Sequence, residues 1–215
     1  MSWTVTALLA GQNVDFGRGE QSAIAKQPVA GKVRIGREAL GDDQQADRVH
    51  HGGPDMALHH YPVDHHSFWR EIVGEHALLN EPGAFGSNIA TTGLLEDDVL
   101  LGDRFRLGTA LLEACQPRQP CWKIEHRFGH KGMVAKILGS GRCGWFYRVI
   151  EEGEAEAGDT LERVSRGDAD WSMRAMFEAL WGTSTPQDKE LLALLAKHEL
   201  LPEKLRTKTL ARLGN

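Results

Sequence analysis

Along the first three-quarters of the chain, apolar residues come in short runs separated by glycine-containing turns, the pattern of strands rather than long helices. Residues 3–9 (WTVTALL) are rich in β-branched and apolar types, and 28–35 alternate before Gly36; both predict half-buried strands. Residues 102–107 (GDRFRL) and 158–164 (GDTLERV) share one form, a turn followed by an alternating strand, which predicts a meander closing on itself. Residues 141–153 predict a buried strand carrying Trp145, Phe146 and Tyr147. Between these strands, Asp64 is a predicted N-cap for a helix through Phe68, Ile72 and Val73, and 129–138 read as a short helix or turn. From Asp170 the apolar residues fall at helical intervals: Met173, Met176, Phe177, Leu180 and Trp181, then Leu191, Leu192, Leu194 and Leu195, then Leu205, Leu210 and Leu213. Three short helices follow, with Pro186 and Pro202 at or near the starts of the second and third. The expected fold is mainly β: a closed barrel with short helices over residues 1–164, then a small three-helix domain over 165–215. About fifty residues hold no large core by themselves, so the helices are expected to pack on the barrel or on a partner.

Composition narrows the function classes. A chain of 215 residues with 41% hydrophobic content supports one sizeable core. A formal charge of -5 argues against a phosphate-backbone binder, so no nucleic-acid partner is expected. The N-terminal MSWTVTALLAG lacks the basic region and long apolar run of a signal peptide, and the three cysteines include no CxxC pair. A reducing cytoplasm is the expected compartment. No apolar run approaches the roughly 20 residues that cross a bilayer, so no membrane association is expected. Neither a GxGxxG nor a Walker signature occurs, which removes motif support for NAD, FAD and ATP.

The candidate chemistry centres on Cys121, in the stretch QPRQPCWK from Gln116 to Lys123. Pro117 and Pro120 restrict the backbone, so the segment is expected neither to continue a strand nor to start a long helix. Arg118 and Lys123 flank the thiol, and nearby cations favour the thiolate, the form that attacks electrophiles and binds soft metals. Six of the ten histidines form the pairs His50/His51, His59/His60 and His65/His66. Adjacent residues on a strand face opposite ways, so each pair offers at most one inward nitrogen, and a protein-only metal site is not expected. Gly52-Gly53-Pro54-Asp55 reads as a turn bringing backbone amides to a ligand, entered by His51 and left by Asp55. Residues 16–26 end in Lys26, a cation able to meet an anion beside glycine amides. Gly83, Gly86, Ser87, Asn88, Thr91 and Thr92 supply small hydrogen-bonding positions suited to a polar heterocycle or to ordinary turns. Cys143 reads as core.

Five pieces in order, SAIAK (22–26), DRVHHGGPDMALHHYP (47–62), PGAFGSNIATTGL (82–94), GDRFRLG (102–108) and QPRQPCWK (116–123), carry a resemblance to the MOSC domain family. The resemblance spans nearly the whole chain and is nearest to the YiiM-type members, which append three helices. It implies a β-barrel binding a pyranopterin molybdenum cofactor (molybdopterin), with the cysteine, here Cys121, as the metal ligand. It further implies reduction of small N-hydroxylated substrates, such as N-hydroxylated purine base analogues, with electrons from a separate reductase. On that reading Lys26 and Arg118 pair with the cofactor phosphate or a metal oxo group, while Gly52, Gly53, Asn88 and Thr92 meet the pterin or its polar rim. His51 or Asp55 supplies the proton needed for water to leave. Two positions depart from the family: Gly86-Ser87-Asn88 stands for the usual Gly-Glu-Asn, and Cys115 for a frequent serine. Cys115 packs in the core or pairs with Cys121. Two other classes stay open: a carrier of the cofactor or of a cysteine-bound sulfur without turnover, and a metal-free thiol enzyme using Cys121 with a histidine base. Oligomeric state is not readable from the sequence.

Overall fold

The structure is a computed structural model describing residues 1–47, 52–183 and 188–214. Its strands are β1 (Ser2–Ala10), β2 (Val14–Asp15), β3 (Gln21–Ser22), β4 (Gln27–Pro28), β5 (Val33–Ile35), β6 (Leu58–His60), β7 (Ile89–Thr91), β8 (Arg104–Leu107), β9 (Ala110–Pro117), β10 (Trp145–Glu151), β11 (Gly153–Ala155) and β12 (Thr160–Ser165). The helices are α1 (His65–Val73), α2 (Trp122–Phe128), α3 (Met133–Ser140), α4 (Met173–Trp181), α5 (Lys189–Lys197) and α6 (Glu203–Leu213). The order β12-β8-β9-β10-β6-β7-β1 closes through a β12–β1 pairing, giving a seven-stranded barrel with β4 added to the far end of β1. Among the described residues every strand pair is antiparallel except β6–β7, so the barrel is mixed. The two similar turn-strand units, β8 and β12, pair with each other.

Alternation along the strands decides what faces inward. On β10, Trp145, Tyr147 and Val149 are buried while Phe146 and Arg148 face out. The lumen side holds Val5, Leu58, Ile89, Phe105, Leu107, Leu112, Trp145 and Tyr147 in one apolar cluster, so the barrel is a packed core and not a pore. On β6, His60 sits inward with Nδ1 3.1 Å from the Tyr147 hydroxyl and Nε2 2.8 Å from Thr91 Oγ1, while His59 turns outward. One histidine of the pair per face is what strand geometry requires.

The helical segment shares this core. Met173, Met176, Leu180, Leu192, Leu195, Leu201 and Leu205 belong to the same cluster as the barrel strands. Backbone bonds stitch its start to the barrel: Leu101 N donates to Trp171 O at 2.8 Å and Met173 N to Val99 O at 2.8 Å. Leu191 and Leu194, on the opposite face of α5, stay exposed. Asp188 caps α5 by accepting from Glu190 N and Leu191 N; Pro186, expected at that start, lies outside the described residues, and Pro202 directly precedes α6.

Four local expectations change. The run 28–35 is split into β4 and β5, because Gly31 turns the chain at φ +69° and the two pieces pair with different strands, β1 and β11. Asp64 precedes α1, but its carboxylate accepts from Gly93 N at 3.0 Å instead of capping the helix. The short helix or turn expected over 129–138 is a helix that begins only at Met133, after the left-handed Gly129 and Gly132. The strand β9 continues through Gln116 and Pro117, with Pro117 opposite Trp145 as its last residue, where a missing donor is tolerated.

Two outcomes are expected. Leu195→Ala removes a fully buried side chain from the shared core and lowers stability by about 2–5 kcal/mol. Far-UV circular dichroism and barrel tryptophan fluorescence should report one coincident, shifted transition; a separate helical transition that moves alone contradicts a shared core. Burial holds the His60 pKa at about 3 in the folded state, against the ordinary 6.5 of a solvated ring. The unfolded chain thus binds the extra proton first, and stability falls as pH drops from about 6.5 toward 3. Urea titrations should lose on the order of 3 kcal/mol between pH 7 and 4.5; unchanged stability over that range contradicts a neutral buried ring.

Candidate functional site

The site is built where β9 stops. Beyond Pro117 the chain turns through residues 118–120 and enters α2 with Cys121 as the residue preceding its first turn, in extended conformation at φ -136°, ψ 165°. A helix too short to project far begins directly after the thiol, so Cys121 stays at the rim of the barrel end, half-buried. Arg118 is held beside it: its backbone N–H donates to Gly144 O at 3.1 Å and its Nη1 to Phe85 O at 2.7 Å. Burial pulls the guanidinium pKa down, and the neighbouring Cys121, Tyr61 and Cys143 act the other way.

Two connected lobes meet at Cys121, Arg118, Met56 and Phe146, all of which line both. The inner lobe, about 120 Å³, has Lys26, Arg118 and Lys123 as cations and Asp43 and Asp47 as carboxylates, with His59, Asn88, Gly86 and Ser22 around them. The outer lobe, about 680 Å³, runs between Pro117, Pro120 and Phe146 on the barrel side and Trp181, Leu205, Lys204 and Lys208 on the helical side. The cleft therefore lies outside the filled barrel, between its wall and the flanking helices.

Asp43 is the hub of the inner lobe. Its carboxylate accepts from Gly11 N at 2.7 Å, from Asn88 Nδ2 at 2.8 Å and from the Lys26 ammonium through both oxygens. Burial lowers the Lys26 pKa, and Asp43 opposes that shift. Asn88 spends its remaining capacity on structure: Nδ2 also donates to Leu9 O, and Oδ1 accepts from His59 N. His59 rests on Phe146, ring centroids 5.1 Å apart, with Nδ1 3.3 Å from Gly86 O and Nε2 3.3 Å from Cys143 O. Burial and the Arg118 charge keep its pKa well below the ordinary value, so the ring is neutral and its single N–H serves one of the two carbonyls. Lys123 turns its ammonium to Gln21 O at 2.9 Å and to Glu20 at 3.2 Å.

Of the residues singled out in the sequence, Cys121, Arg118, Lys26 and Asn88 converge on this cleft. Others do not. Thr92 is exposed at the end of β7, away from both lobes. The Asp55 carboxylate pairs with Arg148 at 2.8 Å and its carbonyl accepts from Cys115 Sγ and Gln116 Nε2, so it serves the turn and not a proton path. Gly52 and Gly53 line neither lobe among the described residues; the Gly53 amide donates to Gln45 Oε1 at 3.1 Å, although the turn abuts Lys204. His51 lies outside the described residues. Cys115 and Cys143 are buried with thiol pKa values pushed up, by burial first, and no disulfide joins the three cysteines. Sequence reasoning missed His59, Phe146, Asp43 and the entire α6 wall. Strand parity on β6 and β10 was the available signal for the first two.

A closed mixed barrel with a thiol and clustered cations at one end is the class of protein this fold defines, and residues 47–162 match the family model of the MOSC domain. The chain belongs to the MOSC domain family, whose domains are associated with molybdenum-cofactor binding. Protein YiiM of Escherichia coli (strain K12) is 42% identical over 151 residues, 70% of this chain and 67% of that protein. The uncharacterized protein YflK of Bacillus subtilis (strain 168) is 43% identical over 152 residues, 71% of this chain and 67% of that one. A protein named Reductase from Gibberella moniliformis is 35% identical over 153 residues, which make up 27% of its length. Among solved structures, YiiM from Geobacillus stearothermophilus superposes with a TM-score of 0.82 at 30% identity, covering 98% of this chain and 99% of that one.

Thiol accessibility tests the geometry. Alkylation of the native protein should modify Cys121 alone, with Cys115 and Cys143 reacting only after unfolding. Peptide mass mapping reads the order, and early modification of Cys115 contradicts it.

Proposed function

We propose that the protein is a molybdenum-cofactor-dependent oxidoreductase that reduces N-hydroxylated compounds with electrons from a separate reductase. The observation that carries this reading is the placement of one half-buried thiol at the junction of a cation-lined lobe and a roomy apolar lobe. The donor set suits the cofactor. A soft thiolate matches a soft metal centre, buried cations match an anionic phosphate, and the combined cleft is of the size that encloses small molecules and cofactors. Family membership and the reductase-named relative support the same reading.

When bound, the cofactor supplies a two-electron couple suited to cleaving an N–O bond. The overall conversion takes R–NHOH, two electrons and two protons to R–NH2 and water. In this chain Cys121 would ligate the metal, and the two prolines that precede it restrict the backbone that carries the sulfur. Arg118, anchored by two carbonyls, keeps a fixed positive charge beside the sulfur. Lys26 brings a second cation to the inner lobe, its orientation set by Asp43 and, through Asp43, by Asn88. His59 and Phe146, packed ring against ring, line the same lobe as the thiol and give it a neutral wall.

The test uses protein from a host that makes the cofactor. Wild type should contain molybdenum and reduce a hydroxylamine with reduced viologen as donor, whereas Cys121→Ser should lose that activity to background. Activity retained in Cys121→Ser removes the thiol from the mechanism. Loaded wild-type protein that reduces no hydroxylamine favours a carrier of the cofactor instead.

A further inference from the structure

The inner lobe does not account for the larger half of the cleft. The outer lobe, about 680 Å³, falls within the range of about 300–1,000 Å³ typical of small-molecule sites. One wall comes from the barrel end: Pro117, Pro120, Phe146 and the thiol of Cys121. The other comes from the helical segment, which begins after the region matched to the MOSC domain ends at residue 162. There Trp181, the last residue of α4, and Leu205 present apolar surface, and Trp181 is braced edge-on by Phe177 at 5.7 Å. Apolar and aromatic faces on both sides of a cleft suit a flat ring.

The polar groups of this wall carry a sign. Lys204 and Lys208 stand one turn apart on α6, so their side chains share a face, and both are exposed and line the lobe. The acid of the same wall, Glu203, is taken up by Arg206 at 3.1 Å. A side chain begun at Gly53 would come within 3.9 Å of Lys204 Nζ, so α6 and the double-glycine turn border each other. Arg118 adds positive charge at the inner end, next to the sulfur.

We propose that Trp181 and the Lys204/Lys208 face of α6 form a substrate-selecting wall, which takes a planar heteroaromatic compound bearing an anionic phosphate. The ring packs on Trp181 with its reactive substituent toward Cys121, and the phosphate meets the two lysines at the mouth. This deepens the proposed reductase reading, on which it rests for the chemistry, but the binding itself needs no turnover. Substrate selection then belongs to the helices and not to the barrel.

Calorimetric titration of the full-length, cofactor-loaded protein with adenosine 5'-monophosphate and with adenosine, neither of which carries an N–OH group, tests the binding. The monophosphate should bind about tenfold more tightly than the nucleoside, the scale of one or two screened ion pairs. Lys204→Ala/Lys208→Ala should erase that difference while adenosine still binds, since both side chains stand at the exposed mouth of the lobe and not in the core. Trp181→Leu should weaken both compounds. Equal affinity for the two in wild type, or a preference that survives the double lysine variant, overturns the proposal. Failure of wild type to reduce any hydroxylamine while the lysine-dependent preference persists overturns only the reductase reading.

Discussion

The antiparallel ladder between β9 and β10 ends at Pro117 opposite Trp145, and the placement of the cleft follows from that ending. A proline can close a strand but cannot donate onward, and the second proline at 120 keeps the chain from resuming a ladder. The backbone then leaves the sheet for only a few residues before α2 starts. A thiol in that gap has no strand neighbour to bury it on one side and no preceding helical turn to cover it on the other. Cys115, on the same strand two positions before the first proline, is buried and unreactive for the opposite reason.

The barrel imposes a second constraint. Seven strands close to a diameter that side chains fill, so chemistry cannot occupy the lumen and is displaced to the outer face of the wall. His59 and Phe146 illustrate this directly: their neighbours His60, Trp145 and Tyr147 fill the interior, and parity alone sends these two side chains outward. The charges assembled there are costly to bury, and Asp43 compensates by answering Lys26, the Gly11 amide and Asn88 at once. Through Asn88 the same hub reaches the backbone of His59, so the inner lobe is one connected polar unit and not a set of independent residues.

Much of this was legible in the order of residues. Turn-strand repetition pointed to β8 and β12, and those strands are neighbours in the closed sheet. Leucine and methionine spacing pointed to α4, α5 and α6. The paired prolines pointed to a thiol on a restricted, irregular stretch, and Lys26, Arg118 and Asn88 line the same lobe as that thiol. Thr92 and Asp55 carried the right chemistry for a site but sit elsewhere, because one lies exposed just past the end of β7 and the other is drawn to Arg148. Nothing local distinguishes them from Asn88.

By itself the sequence determined the element types, the restricted loop around Cys121 and the division of each strand into two faces, since those depend on residues near one another in the chain. Only the tertiary structure decided that Asp43 would answer Lys26, that His59 would share a wall with Phe146, and that α6 would face the thiol from 82 or more positions away. Such pairings depend on how the barrel closes and where the helices dock on it. That is set by the summed burial of a core drawn from both halves of the chain and not by any local pattern.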